Sequence, residues 1–266
     1  YVAAGPVQGA TICIEVNAGT CTGAQFTTTS AQDGTFSLTV DSGTTGVLRG
    51  EGGFDPVTNL QFGENDSLAL GQPVTDQNVV ISVISGVMNE GTTTNYSAFK
   101  TNLGIDSSFM IRFDNPFSSL DNAAYNKVAV INTQLAVLGK VLETIYTDND
   151  SAAFNVSNKI ISSSTEISLG DTTFIKDLLT NYDTDFSPTS DQLVSLSAGI
   201  SAYMQKINAN SSNSHSHFAK AGVSELSALM KAVMDGTSNS DEIDKLVFDT
   251  INWINENTSW DGGTIT

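Results

Sequence analysis

Basic side chains are scarce in this sequence. Eleven Lys and Arg stand against 29 Asp and Glu in 266 residues, a formal charge of −18, although charged residues make up only 15% of the chain. A surface of that sign repels nucleic acid and anionic lipid, which argues against a general polyanion-binding role. Histidine is scarcer still. His215 and His217 are the only two, and with no third His and no Cys beside them a zinc set cannot be completed. No run approaches the 18 or more apolar residues of a membrane span, the longest candidates being interrupted by Asn132, Gln134 and Gly139. Catalytic signatures are missing too: there is no Gly-x-Ser-x-Gly elbow, no P-loop and no Gly-x-Gly-x-x-Gly. Any two of the 29 carboxylates could meet as a glycosidase pair. A helical region is not a usual scaffold for one, so the expectation is a protein that is not an enzyme and needs no cofactor.

Cysteine is limited to Cys13 and Cys21. They stand at the end of one strand-like stretch and just before the next, across a turn containing Asn17, Ala18 and Gly19, so that a disulfide can close the hairpin. The alternative is two reduced, buried thiols. A disulfide implies an oxidising compartment. Nothing near Tyr1 has the basic and then apolar shape of a signal peptide, which fits a mature chain whose leader has been removed. Apolar residues amount to 39%, enough for a packed core.

The texture changes near residue 74. Before it, apolar residues recur at a period of two. Ile12, Ile14 and Val16 share one strand face, Gln25 to Thr29 forms a second strand, and Phe36, Leu38 and Val40 mark a third after a tight turn at Asp33-Gly34. Thr45 to Arg49, Leu60 to Phe62 and Leu68 with Leu70 add further strands. After Pro73 the spacing moves to three and four, and helices are expected to about Thr258. The first is read from Asp76 through Val87, a short one from Ser97 to Asn102 ends at Gly104, and Phe109 to Phe117 is an extended connection. Asn122 to Tyr146 is apolar on two faces and belongs in the middle of a bundle. Later helices are read at Ser151 to Ser162, Thr172 to Tyr182, Thr189 to Asn208 (capped by Ser187-Pro188), Ser216 to Met234 and Asp241 to Glu256, with Phe248 and Trp253 in the core. The fold class is therefore α+β in two domains: an antiparallel, transthyretin- or immunoglobulin-like β-sandwich over 1–74 and an α-helical bundle over 75–258, followed by an extended tail at 259–266.

Gly5-Pro6-Val7-x-Gly9-Ala10-Thr11-Ile12, then Thr28 or Thr29, then Asp33-Gly34-x-Phe36-x-Leu38, resembles the carboxypeptidase-regulatory or transthyretin-like module of secreted bacterial surface proteins. The resemblance extends over roughly the first 145 residues, through the cysteine pair and the apolar segments Gln72 to Met88 and Leu103 to Leu142. The turn Glu15-x-Asn17-x-Gly19 is shorter than the family's acidic version, and Ile81-Ser82-Val83-Ile84-Ser85 replaces its Pro-Leu-Thr-Thr-Leu segment. The family implies an exported, non-catalytic module of adhesins and surface assemblies.

Calcium is the one ion the sequence could hold, through Asp148 and Asp150 or through Asp183 and Asp185, whose i, i+2 spacing is that of calcium loops. Helix capping accounts for the same residues. The leading expectation is an extracellular or cell-surface structural subunit that self-assembles into a filament or surface layer. Its ends, Tyr1, Val2, Thr264, Ile265 and Thr266, would lie on neighbouring subunits. A carbohydrate- or peptide-binding adhesin is the alternative, favoured if aromatic residues such as Trp260, Tyr1 or Phe54 are presented in a groove. A secreted hydrolase is a weaker third reading.

Overall fold

The computed structural model describes residues 2–3, 7–15, 20–55, 60–63, 67–70, 78–90, 96–144, 149–180, 186, 188–209, 215–234, 245, 248–249 and 252. In chain order its elements are β1 (Val2–Ala3), β2 (Thr11–Ile14), β3 (Thr27–Thr29), β4 (Leu48–Glu51), β5 (Phe54–Asp55), β6 (Leu60–Gln61), β7 (Ser67–Leu70) and β8 (Ile81–Ser82). Then come α1 (Val83–Glu90), α2 (Tyr96–Asn102), α3 (Ala123–Leu142), α4 (Asn149–Ser162), α5 (Thr172–Thr180), α6 (Ser190–Ala209) and α7 (His215–Met234). The architecture is α+β, short antiparallel strands followed by an all-helical region.

The main sheet is four-stranded and antiparallel, in the order β3-β2-β4-β7. Ile12 stands opposite both Thr28 and Gly50, and Cys13 opposite both Thr27 and Arg49. Cys13 and Cys21 are joined by a disulfide with their Cα atoms 5.6 Å apart. Two small ladders accompany the sheet: β5 with β6, and a parallel pair in which Val2 and Ala3 face Ile81 and Ser82. That parallel pair ties the start of the chain to the segment that opens α1.

Several expected boundaries move. Thr35 to Val40 keeps its alternation, with Phe36, Leu38 and Val40 packed against the core, yet it joins no ladder among the described residues. The first helix begins at Val83, not near Asp76, because β-branched Val79, Val80 and Ile81 run into β8, with the Val80 N–H bonded to the Arg112 carbonyl at 2.8 Å. Ser82 and Ser85 then cap α1 reciprocally, each N–H donating to the other's Oγ at 2.8 and 3.2 Å. The N-cap of α6 is Thr189, paired with Gln192 in the same reciprocal way, and not Ser187. Phe109 to Phe117 is a series of turns, not an extended link: the N–H groups of Phe113 and Asp114 both donate to the Met110 carbonyl. Gly104 does end α2, at φ +59°, with the N–H of Ile105 donating to Lys100 and that of Gly104 to Thr101. Phe248 is 62% exposed, not core. Lys245, Phe248, Asp249 and Asn252 are helical, and Trp253 lies outside the described residues.

α3 is the centre, as its two apolar faces required. It packs against α1, α4, α6 and α7, and buries Asn132, Thr133 and Gln134 alongside its Val and Leu residues. Those polar residues are cross-links. Asn132 Oδ1 accepts the Ile84 N–H at 3.0 Å, satisfying a free donor in the first turn of α1, and Gln134 Nε2 donates to the Met204 carbonyl of α6 at 2.8 Å. Asn102 does the same at the far end of α4, donating to the carbonyls of Ile160 and Ser163. Buried apolar residues from Val7 to Val233 form one continuous cluster running from the strands into the helices.

Candidate binding groove

One open groove of about 530 Å³ is lined by Gln8, Gly9, Gln32, Gly53, Phe54 and Gln61. Each wall has a local cause. Ser30, 5% exposed, organises the first: its Oγ donates to the Val7 carbonyl at 2.8 Å and accepts the Ala10 N–H at 2.9 Å, while its own N–H donates to the Ala10 carbonyl. With the Gly9 N–H donating to the Ser30 carbonyl, the strand leading into β2 is clamped and Gln8 is held at the rim. Phe54 is set opposite by an isolated antiparallel bridge in which Gln8 and Phe54 exchange N–H···O bonds of 2.8 and 2.9 Å. Gln61, across β5–β6, donates from Nε2 to the Gly53 carbonyl at 2.8 Å and the Phe62 carbonyl at 3.2 Å, which leaves its Oε1 as an acceptor.

Among the described residues the lining is uncharged. It offers amide donors and acceptors, two glycines that keep the wall low, and one partly buried aromatic ring. Such a surface recognises a neutral ligand that has both hydroxyls or amides and an apolar face. Of these residues sequence reasoning singled out Phe54 alone; the glutamines are dispersed at positions 8, 32 and 61 and carry no local pattern.

Beneath the disulfide lies the other concentration of polar groups. Arg49 of β4, 2% exposed, stands 3.7 Å from Glu15 Oε2 and 3.3 Å from Glu51 Oε1, and Glu51 Oε1 also accepts the Cys21 N–H at 2.7 Å. The two carboxylates are therefore engaged in neutralising one guanidinium and in holding the Cys21 end of the disulfide loop.

The other candidates fall elsewhere. Asp150 is in the first turn of α4, whereas Asp148, Asp183 and Asp185 lie outside the described residues. Val2 pairs with Ile81 of its own chain; Tyr1, Trp260, Thr264, Ile265 and Thr266 lie outside the described residues. His215 and His217 belong to the first turn of α7. Among the described residues no three His, Cys, Asp or Glu side chains gather as a metal site, and no helix is long and apolar enough to cross a membrane.

No family model, curated protein or solved structure matches this chain.

Proposed function

We propose that this chain is a non-catalytic, extracellular adhesive protein that holds a neutral carbohydrate in the groove between Gln8, Gln32, Phe54 and Gln61. The observation that carries this reading is Phe54 presented among three glutamines, with no charged residue among the described residues of the lining. An aromatic ring covers the C–H face of a sugar while side-chain amides meet its hydroxyls, and an open groove admits an internal unit of a longer glycan. Kinship with the carboxypeptidase-regulatory, transthyretin-like modules belongs to the same proposal. It is supported by the antiparallel sheet and by the Asp33-Gly34 turn, with Gly34 at φ +78°. The disulfide accords with an oxidising, extracellular setting.

The test is an array of neutral oligosaccharides probed with the wild-type chain, Phe54→Ala and Gln32→Ala. A hydrogen bond or an aromatic contact is worth about 1 kcal/mol, so each variant should bind roughly five- to tenfold more weakly with an unchanged circular dichroism spectrum. Binding confined to charged glycans, or indifferent to both substitutions, counts against the groove. Light scattering on the same samples reports self-association, which the sequence also suggests.

A further inference from the structure

The segment from Phe36 to Val40 is built as a strand but has no ladder. Phe36, Leu38 and Val40 are partly buried against the core, while Thr35, Ser37 and Thr39 are exposed. Both ends are pinned by turns. The Gly34 N–H donates to the Ala31 carbonyl at 3.0 Å and the Ala31 N–H to the Thr35 carbonyl at 2.7 Å; beyond the segment, the Thr44 N–H donates to the Asp41 carbonyl at 3.1 Å. Among the described residues, no hydrogen bond reaches the main chain between Phe36 and Val40. Extended backbone with its apolar face anchored and its N–H and C=O groups open is the receptor half of strand addition. Little ordering remains to be done when a strand arrives, because this one is already held.

Charge identifies the occupant. Asp33 and Asp41, both exposed, bracket a seven-residue stretch, Gly34 to Val40, without a charged side chain. Asp33 accepts the N–H and the Oγ1 hydroxyl of Thr35 at 3.0 and 2.7 Å, which holds its carboxyl below the ordinary range and keeps it ionised. A second copy would bring the same two carboxylates and the same net charge of −18 to the edge. We propose that Phe36–Val40 receives an extended, basic-flanked peptide segment of a partner protein as an added strand. The partner's main chain completes the ladder, and Lys or Arg at either end of it face Asp33 and Asp41. Asp33 and Asp41 are eight positions apart, so the two cations stand about eight residues apart on one face of the added strand. This inference is independent of the carbohydrate reading, although edge and groove adjoin at Gln32-Asp33.

The probe is the labelled peptide Lys-Val-Thr-Val-Thr-Val-Thr-Val-Lys, whose two lysines share one face, titrated into the full chain and followed by fluorescence anisotropy. Saturable binding is expected. It should fall by about tenfold or more when both lysines are glutamates, or when alternate peptide nitrogens are methylated to block the ladder. The double variant Asp33→Asn, Asp41→Asn keeps the side-chain acceptors and should lose about tenfold at low salt, together with most of the salt dependence. Absence of saturable binding up to about 1 mM, or equal binding of the methylated peptide, overturns the proposal. So does a dimer that Ser37→Pro dissolves, since the edge would then belong to a second copy.

Discussion

A side chain at position 53 has nowhere to go. A Cβ there would stand 2.8 Å from the Ala10 nitrogen, the Gln8 carbonyl oxygen and Val7 Cγ1, and the backbone is at φ +93°. Gly53→Ala should therefore destabilise the chain by about 1–3 kcal/mol and pull Gln8 away from Phe54. Urea denaturation and the glycan array read the two effects, and an unchanged midpoint would mean that this wall is not held as described. Arg49 is the second residue on which much depends. Arg49→Met leaves Glu15 and Glu51 without their shared cation and should cost about 3–5 kcal/mol. Adding Glu15→Gln and Glu51→Gln should recover part of the loss, because the amide that replaces the Glu51 carboxylate keeps an acceptor for the Cys21 N–H. Failure of that rescue would move the cost to lost packing. The turn at Gly34 and the helix end at Gly104 were legible in the sequence, since local backbone chemistry dictates them. The burial of Arg49 was not: Glu51 is two residues along the same strand, but Glu15 is brought to Arg49 only by the pairing of β2 with β4, which no local pattern shows.

Caps and cross-links decide where elements begin. The expected Ser187-Pro188 start of α6 gave way to Thr189 with Gln192, and the expected Asp76 start of α1 to Ser82 with Ser85. In each, two side chains satisfy two backbone donors at once. Thr35 to Val40 was legible as an alternating strand, but whether a strand finds a ladder depends on neighbours that no local pattern names. At the hairpin, Cys13→Ser with Cys21→Ser should cost about 2–3 kcal/mol by loop entropy, measured by denaturation of the full chain. A loss near zero would show that the Arg49 cluster alone holds the loop. The end of α3 carries a pH-dependent pair, Lys140 Nζ to Glu143 Oε2 at 3.1 Å, with the ammonium 5.7 Å from the Phe62 ring centroid. Burial raises the Glu143 carboxyl above its ordinary value, opposed by Lys140, and burial lowers the Lys140 ammonium. A carboxyl raised on folding favours the folded state below its unfolded pKa, and that contribution is lost as pH climbs through the folded one. Lys140→Met removes the opposing charge, so Glu143 should titrate higher still and the variant's stability deficit should shrink on acidification. Carboxyl NMR titration checks this, and a Glu143 resonance moving in the ordinary carboxylate range in both proteins would refute it.

At the scale of the whole molecule, the strands and helices that the sequence divides near residue 74 share one buried apolar cluster. The contacts that join them are specific. β1 lies on β8 and β7 lies against α1, while within the helical region Asn132 of α3 completes the first turn of α1. Opening either region alone would strip apolar surface from the other, so local opening costs nearly as much as global unfolding. Scanning calorimetry should accordingly give one transition whose calorimetric and van't Hoff enthalpies agree. Asn132→Leu, which unties α3 from the α1 that β7 lies against, should lower its midpoint by several degrees without splitting it, an effect corresponding to about 1–3 kcal/mol for an orphaned buried donor. Two resolved transitions in the wild-type chain would instead make 1–74 and 75–258 independent folding units. Splitting only in Asn132→Leu would show that the strand region is coupled to the bundle through an α1 that Asn132 fastens to α3.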